Sequence, residues 1–361
     1  LLVAGIEGTE PGEDAVQAVQ GYQVGGVILF GRNVESAEQL AALTNGLKEL
    51  NGDYTPLFLC VDQEGGRVDR MPPEVSRTPS AWSVGQTLDT EGVGVSYGEL
   101  LAAECAAFGF NMDFAPSLDI WSNPDNTVIG DRAFGNDWEW TAFFGMSAVE
   151  GMEKQGTVIP VVKHFPGHGD TAVDSHTALP VVDKTLEDLW QSELVPFDMV
   201  LSGQFWGEPV MEPTPAVMVA HILLSQIDPD NPASLSPEVV TGLLREEMGY
   251  EGVVCTDDLT MGAISNTYGM GEAAVLAVEA GCDLLLVCHG ADNLAEAHAA
   301  LVEAVDSGCI PEERLDESVY RVLSLKTVYG LSNAPVEAPD IEALNDRIAA
   351  LERSIEADTS Q

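Results

Sequence analysis

The chain has 361 residues and a formal net charge of −44, from 59 acidic and 15 basic residues. This surplus excludes nucleic acid as a natural partner and argues against binding to an anionic membrane surface. The carboxylates are spread along the chain, which favours a protein adapted to high salt, where a Debye length of about 3 Å near 1 M screens the self-repulsion. An ordinary acidic enzyme from a low-salt habitat is the alternative.

Eight short apolar runs alternate with helical patterns along the chain. The runs are continuously apolar, which is typical of strands buried between a core and a layer of helices. Because eight parallel strands close a barrel, the sequence predicts an α/β fold of the (β/α)8 TIM type. The runs lie at 1–8, 25–30, 57–62, 110–120, 158–165, 216–222, 252–258 and 282–289.

Cap signals mark the ends of two of the intervening helices. Ser36 and Gln39 form a capping-box pattern ahead of an apolar helical repeat. Ser236 and Pro237 begin a later helix, which Gly249 can end. These signals indicate structure and carry no chemistry.

The end of the chain is predicted to lie outside the barrel. We expect residues 1–331 to form a single catalytic domain and residues 332–361 to form a linker and a C-terminal amphipathic helix. The helix is expected to pack back on the barrel, with self-association as the alternative, so a monomer or weak homodimer is predicted. Its apolar residues recur at steps of three and four: Ile341, Leu344, Ile348, Leu351 and Ile355.

The six cysteines are scattered, and several fall in apolar runs, which indicates small buried side chains and not a disulfide framework. The sequence has no CxxC motif, no apolar run long enough to span a bilayer and no signal peptide. We therefore expect a cytoplasmic protein without membrane partners. Because the chain begins at Leu1 and not at methionine, a secreted or periplasmic location after removal of a leader stays open.

Polar side chains follow the apolar runs. In an α/β barrel the carboxyl ends of the strands share one face, which is where such folds carry their active sites. A single polar residue there often caps a helix, but polar residues at the ends of several runs together favour an enzyme. The residues are Asp62, Gln63, Glu64, Asp119, Lys163, His164, His221, Asp257, Asp258 and His289.

The richest stretch is 162–180, VKHFPGHGDTAVDSHTALP, which holds three of the six histidines. One hypothesis from these residues is a metal-dependent barrel hydrolase that uses His164, His168 and His176. A barrel could bring His221 and Asp257 to the same ion. Against it, most of these ligands come from one glycine-rich loop and not from several strands.

Four separated motifs occur in one order. They are VDQEGGRVDR (61–70), NTVIGDRAFG (126–135), KHFPGHGDT followed by DSHTALP (163–180), and CTDDLTMGAI (255–264). Together they resemble glycoside hydrolase family 3 and, within it, the single-domain β-N-acetylglucosaminidases. The match runs from about Gly25 to Leu331, and four motifs in order are far more specific than a lone glycine pattern.

The resemblance implies three catalytic residues. Asp257 would be the nucleophile that forms a covalent glycosyl-enzyme. His176 would be the general acid and base, since its ordinary pKa of about 6.5 lets it give and take a proton. Asp174 would orient the His176 ring. Asp258 would face away from Asp257, because successive strand side chains alternate, and would serve as a supporting or capping acid.

The same resemblance implies residues that hold the sugar. They would donate and accept hydrogen bonds with its hydroxyl and acetamido groups; they are Asp62, Arg70, Arg132, Lys163 and His164. For both arginines the alternative is a surface ion pair. His168 and Asp170 would hold the shape of their loop. His221 would either line the pocket or pack beneath it, and His289 and His298 would be structural or exposed.

One segment departs from the family pattern. Residues 201–215, LSGQFWGEPVMEPTP, stand where a short turn is usual. Phe205 and Trp206 would form either an aromatic shelf for a second sugar or an ordinary packed loop.

The resemblance thus predicts a retaining, exo-acting β-N-acetylglucosaminidase that needs no cofactor or metal. Its substrate would be peptidoglycan fragments, as in peptidoglycan recycling, or chitooligosaccharides. Another family 3 β-glycosidase, or a phosphorylase in which phosphate replaces water, is the alternative within the family. A carbohydrate-binding protein without activity is disfavoured, because Asp174, His176 and Asp257 are all present.

Overall fold

In a computed structural model, eight parallel strands close into one barrel, and each pairs with the strands before and after it in the chain. The structure describes residues 1–90, 92–171, 175 and 179–359. The predicted (β/α)8 barrel is confirmed, and each apolar run contains one strand. The strands are β1 (Leu2–Gly5), β2 (Gly26–Ile28), β3 (Phe58–Val61), β4 (Met112–Asp113), β5 (Ile159–Phe165), β6 (Ala216–Val219), β7 (Val253–Asp258) and β8 (Leu284–Val287).

Helices surround the barrel. The longer ones among the described residues are α1 (Ala37–Asn51), α2 (Val93–Ala107), α3 (Trp138–Gln155), α4 (Leu194–Ser202), α5 (Met270–Ala280), α6 (Ala291–Asp306), α7 (Glu312–Val328) and α8 (Ile341–Thr359). Two segments have π-helical hydrogen bonds, Gln17–Gly21 and Glu238–Glu247. Short helices span Glu13–Val16, Ala81–Gly85, Leu186–Leu189 and Gly262–Ser265, and 3₁₀ turns span Gly31–Asn33, Gly130–Arg132 and Ala233–Leu235. Two-residue strands pair Val181–Val182 with Leu223–Leu224, and Gln204–Phe205 with Glu208–Pro209.

Alternate residues of each strand face opposite sides, and both sides are apolar. One set fills the barrel interior, including Phe58, Met112 and Met218. The other set packs against the helices, including Leu59 and Val217. Burial on both sides explains why the strand sequences show no polar alternation.

The N-terminal end of the barrel is closed by the end of α7. Val322, Leu325 and Tyr329 pack against the interior cluster. The Lys326 ammonium donates hydrogen bonds to the carbonyl oxygens of Gly25 at 2.8 Å and Pro56 at 2.6 Å, just before β2 and β3. This end is therefore a packed plug, and any site must lie at the other end.

The predicted helix caps are present with one change of partner. Ser36 Oγ accepts a hydrogen bond from Gln39 N, and α1 begins at Ala37. The Gln39 side chain accepts from Glu35 N, one residue before the cap expected from the capping box. Pro237 directly precedes the helix Glu238–Glu247, and Gly249 follows it with a φ of 70°.

The C-terminal helix α8 packs back on the barrel, as predicted. Leu344, Ile348 and Leu351 are buried in the core that surrounds the strands. In the preceding linker, the Asn45 side-chain amide makes two hydrogen bonds with the backbone of Val336, at 2.8 and 3.0 Å. The apolar stripe of α8 is therefore covered by its own chain.

All six cysteines are free, as the sequence predicts. Five are buried: Cys60, Cys105, Cys255, Cys282 and Cys288. Cys309 is exposed, and its thiol hydrogen-bonds to Glu279. Among the described residues, no helix has both the length and the apolar character needed to cross a bilayer.

Candidate active site

A cavity of about 240 Å³ opens at the C-terminal end of the strands. Apolar side chains from several strands form its floor, among them Phe114, Met218 and Leu286. The predicted site residues Asp62, Arg70, Arg132, Lys163, His164 and Asp257 line it, together with Glu64, His168, Ser175, Asp258 and His289. The topology therefore brings together residues that lie more than 200 positions apart in the sequence, such as Asp62 and His289.

Two glycines shape the loop after β3. Gly65 and Gly66 have positive φ angles of 70° and 56°. A Cβ on Gly65 would lie 2.5 Å from the Pro79 carbonyl oxygen, so a larger residue has no room there. The loop folds back on itself, and Arg70 N donates to Gln63 Oε1 at 2.8 Å. This turn places Asp62, Glu64 and Arg70 on one wall of the cavity.

A buried ion cluster forms the centre of the site. Lys163 Nζ lies 2.6 Å from Asp62 Oδ1 and 2.6 Å from Glu64 Oε1, and its side chain is 1% exposed. Arg132 makes a two-bonded pair with Glu64, through Nε and a terminal nitrogen, at 2.7 Å each. The alternative of a surface ion pair does not hold for Arg132, since its pair is buried in the cavity wall.

The charges of this cluster fix one another. Burial alone would raise the pKa of Glu64, but Arg132 and Lys163 outweigh it and hold that pKa well below its ordinary value. Burial alone would lower the pKa of Lys163, but Asp62 and Glu64 raise it. The site therefore keeps an ammonium and a guanidinium charged and in fixed positions, ready to donate hydrogen bonds.

His164 is oriented by a buried aspartate. His164 Nδ1 lies 2.6 Å from Asp119 Oδ2, and Arg132 approaches His164 Nε2 at 3.2 Å. Burial alone would raise the pKa of Asp119, but His164 and then His168 lower it well below its ordinary value. With the Nδ1 proton donated to Asp119, His164 Nε2 accepts from Arg132.

Asp257 is the second-to-last residue of β7 and lines the cavity. Its Oδ1 accepts a hydrogen bond from Asp258 N at 2.7 Å. Burial raises its pKa, but the His221 and His164 rings, the Asp258 amide and the Lys163 ammonium together lower it below the ordinary value. The carboxylate is therefore ionised at neutral pH, as a nucleophile requires.

Two neighbours of Asp257, Asp258 and His221, make hydrogen bonds that hold the fold around it. Asp258 accepts from Thr260 N and Cys288 N at 3.0 Å each, which ties β7 to β8, although Asp258 also reaches the cavity. His221 lies fully buried below, between Asp258 O at 3.0 Å and Ser234 Oγ at 2.7 Å. Of the two alternatives for His221, packing beneath the pocket is the one observed.

The remaining predicted residues differ in how far the structure defines them. Arg70 lines the cavity, and its buried Nε has no hydrogen-bond partner among the described residues. Asp174 and His176 lie outside the described residues. Ser175, between them in sequence, contacts His168 Nε2 at 3.3 Å, and its carbonyl oxygen accepts from Ala263 N at 3.0 Å.

The described part of the chain contains no group of three or more His, Cys, Asp or Glu residues placed to hold a metal ion. His164 spends both ring nitrogens on Asp119 and Arg132. His168 spends both on Thr171 and Ser175. The hypothesis of a metal held by these two rings therefore gains no support from their geometry.

Segment 201–215 forms a hairpin outside the cavity. Gln204–Phe205 pairs with Glu208–Pro209, and the hairpin packs along α3. Trp206 is 67% exposed, and its ring meets the edge of Trp138 at 5.7 Å. This matches the packed-loop alternative and not a shelf beside the sugar site.

Two residues are more central than the sequence indicated. Glu64 bridges Lys163 and Arg132, and Asp119 orients His164. Both stand among the polar residues that follow the apolar runs, which was the available signal. His289 also contributes, because it stacks on Phe30 with ring centres 5.6 Å apart at the cavity rim.

Comparison with known proteins gives a consistent result. The family model described as "Glycosyl hydrolase family 3 N terminal domain" matches residues 3–325. A beta-hexosaminidase A of Pseudoalteromonas piscicida is 33% identical over 341 residues, which cover 88% of this chain and 56% of the relative. A beta-hexosaminidase of Alkalilimnicola ehrlichii is 38% identical over 293 residues, covering 80% of each chain.

A solved structure is also similar. The glycoside hydrolase family 3 beta-N-acetylglucosaminidase from a Paenibacillus species matches with a TM-score of 0.90 at 41% identity. The match covers 97% of this chain and 66% of that one. The chain thus spans 56% of the Pseudoalteromonas relative and 66% of the Paenibacillus one, whereas it spans 80% of the Alkalilimnicola one.

Proposed function

Because the chain belongs to glycosyl hydrolase family 3, we propose that it is a retaining, exo-acting β-N-acetylglucosaminidase. The observation that carries the proposal is the ionised carboxylate of Asp257 at the cavity floor, beside the Lys163 ammonium and the His164 ring. Relatives named beta-hexosaminidase and beta-N-acetylglucosaminidase supply the sugar class.

In this proposal the Asp257 carboxylate attacks the anomeric carbon. The carbon–oxygen bond to the leaving group breaks, and a covalent glycosyl-enzyme forms with inversion. Water then attacks the same carbon, the bond to Asp257 breaks, and a second inversion restores the original configuration. Retention follows from the two steps.

His176 and Asp174 handle the protons. His176 gives a proton to the departing oxygen and then takes one from the attacking water. Asp174 orients the ring and favours its charged form. Both roles rest on the DSH motif, because these residues lie outside the described part of the chain.

The terminal sugar is held by Asp62, Arg70, Arg132, Lys163 and His164. Support comes from their shared cavity and from the partners that hold Lys163, Arg132 and His164 in place. The cavity of about 240 Å³ lies below the roughly 300–1,000 Å³ common for drug-sized ligands, which suits one terminal sugar and hence exo action.

The substrate class proposed is small N-acetylglucosamine-containing carbohydrate, either muropeptide fragments or chitooligosaccharides. We propose a cytoplasmic enzyme that is a monomer or weak homodimer. The six free cysteines support a reducing compartment. Size-exclusion chromatography with light scattering would measure the mass, and a stable tetramer would contradict this part.

The first experiment is hydrolysis of an aryl β-N-acetylglucosaminide beside the matching β-glucoside, with and without a chelator, in low and molar salt. We expect chelator-resistant release from the acetamido sugar alone. Faster release from the glucoside would favour another family 3 β-glycosidase. Loss of activity with chelator would favour the metallohydrolase, and formation of a sugar 1-phosphate in phosphate buffer would favour a phosphorylase.

A further inference from the structure

Glu104, a residue of α2, is a fully buried carboxyl group that lies behind the cavity and does not line it. Its Oε2 accepts a hydrogen bond from Gln63 Nε2 at 2.8 Å. Its Oε1 lies 2.5 Å from Thr78 Oγ1. The proposed mechanism gives this acid no role, so its position needs a separate explanation.

Gln63 connects Glu104 to the cavity wall. It stands between Asp62 and Glu64, and it is fully buried. Besides its bond to Glu104, its side chain accepts from Arg70 N at 2.8 Å. A single amide side chain therefore sets both ends of the segment 62–70, which carries three of the charged groups of the cavity.

Thr78 provides the second connection. Its carbonyl oxygen accepts from Gly66 N at 2.8 Å, in the middle of the same segment. The Thr78 hydroxyl hydrogen-bonds with Glu104. Glu104 therefore connects Gln63 and Thr78, which belong to two stretches of chain that pack together in this wall.

The surroundings of Glu104 hold it in the neutral form. Burial raises its pKa to about 8, with a further rise from Asp69. Hydrogen bonds from Thr78 and Gln63, and the Arg347 charge on α8, act in the opposite direction. In the neutral form the Glu104 O–H donates to Thr78 Oγ1, in place of the bond that the Thr78 hydroxyl gives to an ionised carboxylate, and Oε2 accepts from Gln63 Nε2.

Burial also raises the pKa of the other acidic groups near Glu104, so none of them favours a negative charge on it. Burial raises the pKa of Asp113, which accepts from Gln63 N at 2.8 Å, well above its ordinary value. Burial likewise raises the pKa of Asp69. Tyr97 and Cys105 on α2 are buried, and burial raises the pKa of each. An ionised Glu104 would therefore be a costly charge in this wall.

We propose that Glu104 is a positioning residue, whose buried carboxyl group holds segment 62–70 in its sugar-binding arrangement through hydrogen bonds with Gln63 and Thr78. The effect on catalysis rests on the proposed function, whereas the effect on the segment does not. Ionisation of Glu104 would loosen the wall that carries Asp62, Glu64 and Arg70.

The test compares Glu104→Gln and Glu104→Ala with the wild type. Glu104→Gln keeps the shape and cannot ionise, and Glu104→Ala removes both hydrogen bonds. Glu153→Gln is the matched control, because burial also raises the pKa of that acid but its partner is Tyr329, outside the cavity. The first readout is hydrogen exchange of the Gly66 and Arg70 amides, corrected for the intrinsic effect of pH.

We expect wild-type protection of these amides to fall above about pH 8, whereas Glu104→Gln keeps it and Glu104→Ala lacks it at every pH. The second readout is kcat/KM on an activated aryl β-N-acetylglucosaminide, whose departure does not need the proton of His176. There the wild type should lose about tenfold per pH unit above pH 8, since one ionisation is involved. Glu104→Gln should not show this loss, and Glu153→Gln should behave like the wild type.

An alkaline loss of amide protection that is the same in Glu104→Gln and wild type would overturn the proposal. So would full protection of the two amides in Glu104→Ala. If the wild type hydrolyses no sugar, the proposed function fails, and the exchange experiment still decides the role of Glu104.

Discussion

The two ends of the barrel each contain a buried lysine, and the two lysines are held in opposite ways. At the C-terminal end, Lys163 lies between the carboxylates of Asp62 and Glu64, which raise its pKa. At the N-terminal end, Lys326 is held by two carbonyl oxygens and by the Phe58 ring, with its nitrogen 4.4 Å from the ring centre. Burial there lowers its pKa to about 8.

The difference between the two lysines distinguishes the candidate active site at the C-terminal end of the barrel from the packed plug at the N-terminal end. Around Lys163, paired charges are fixed beside open space, where a ligand can replace water. Around Lys326, carbonyl dipoles and an aromatic face stand in for water, and the stem of the side chain fills the barrel mouth. We therefore expect changes at the C-terminal end to alter activity first and changes at the N-terminal end to alter stability alone.

The largest effect is expected at the floor of the cavity. Asp257→Ala should lower kcat/KM by roughly 10⁴-fold or more, because removal of a nucleophile costs enzymes orders of magnitude. Its free energy of unfolding should stay close to that of wild type. Aryl-glycoside assays with urea denaturation measure both, and Asp198→Ala on α4 is the control. Undiminished turnover would remove Asp257 from its role.

The next effect concerns proton transfer at the same end. His176→Ala should slow substrates with poor leaving groups by about 10²–10⁴-fold, and activated aryl substrates far less in the first step, because only the former need the proton. Pre-steady-state release of the aryl alcohol measures this step. Equal losses on both kinds of substrate would rule out His176 as the general acid.

A matched pair of substitutions tests the comparison of the two lysines directly. Lys163→Met leaves Asp62 without a counter-charge and leaves Glu64 paired with Arg132 alone, and it should cost about 3–5 kcal/mol of stability and most of the activity. Lys326→Met leaves the Pro56 carbonyl without its Lys326 donor, whereas the Gly25 carbonyl keeps a hydrogen bond from Phe58 N, and it should cost about 1–3 kcal/mol, with kcat/KM unchanged. Chemical denaturation gives the stabilities. Loss of activity in Lys326→Met would break the division between site and plug.

The smallest effect is a pH dependence at the plug. The pKa of Lys326 is about 8 in the folded protein and 10.5 as the ordinary value, so between these values the unfolded chain holds a proton that the folded chain lacks. Stability should therefore rise with pH in this window, relative to Lys326→Met, by up to about 1.4 kcal/mol per pH unit. Urea titrations from pH 7 to 10.5 test it. A pH-independent difference would show that Lys326 keeps its charge.

The barrel and the face that carries its site were predictable from the sequence. Buried parallel strands are apolar throughout, so Phe58–Val61 and Leu284–Val287 stand out without any knowledge of contacts. Polar residues at strand ends meet by topology alone, which placed Asp62, Lys163 and Asp257 in one cavity.

The pairings within the site could not be predicted. Glu64 and Arg132 are 68 positions apart, and Asp62 and Lys163 are 101 apart, so each contact depends on how distant loops approach. The same limit applies to Glu104, because the pattern of its helix does not predict that Gln63 is its hydrogen-bond partner. Phe205 and Trp206 showed an aromatic segment, but sequence alone did not tell on which side of the barrel it packs.

The distribution of cysteines allows the rate of unfolding to be followed by chemical labelling. Burial raises the pKa of the five interior thiols, and these groups are shielded from reagents while the barrel is closed. Cys309 alone of the six is exposed. An alkylating reagent should therefore label Cys309 in the folded protein, and it should label the five buried cysteines only at the rate at which the protein unfolds. Intact-mass spectrometry would count these additions, so the kinetic stability of each variant could be compared without any substrate.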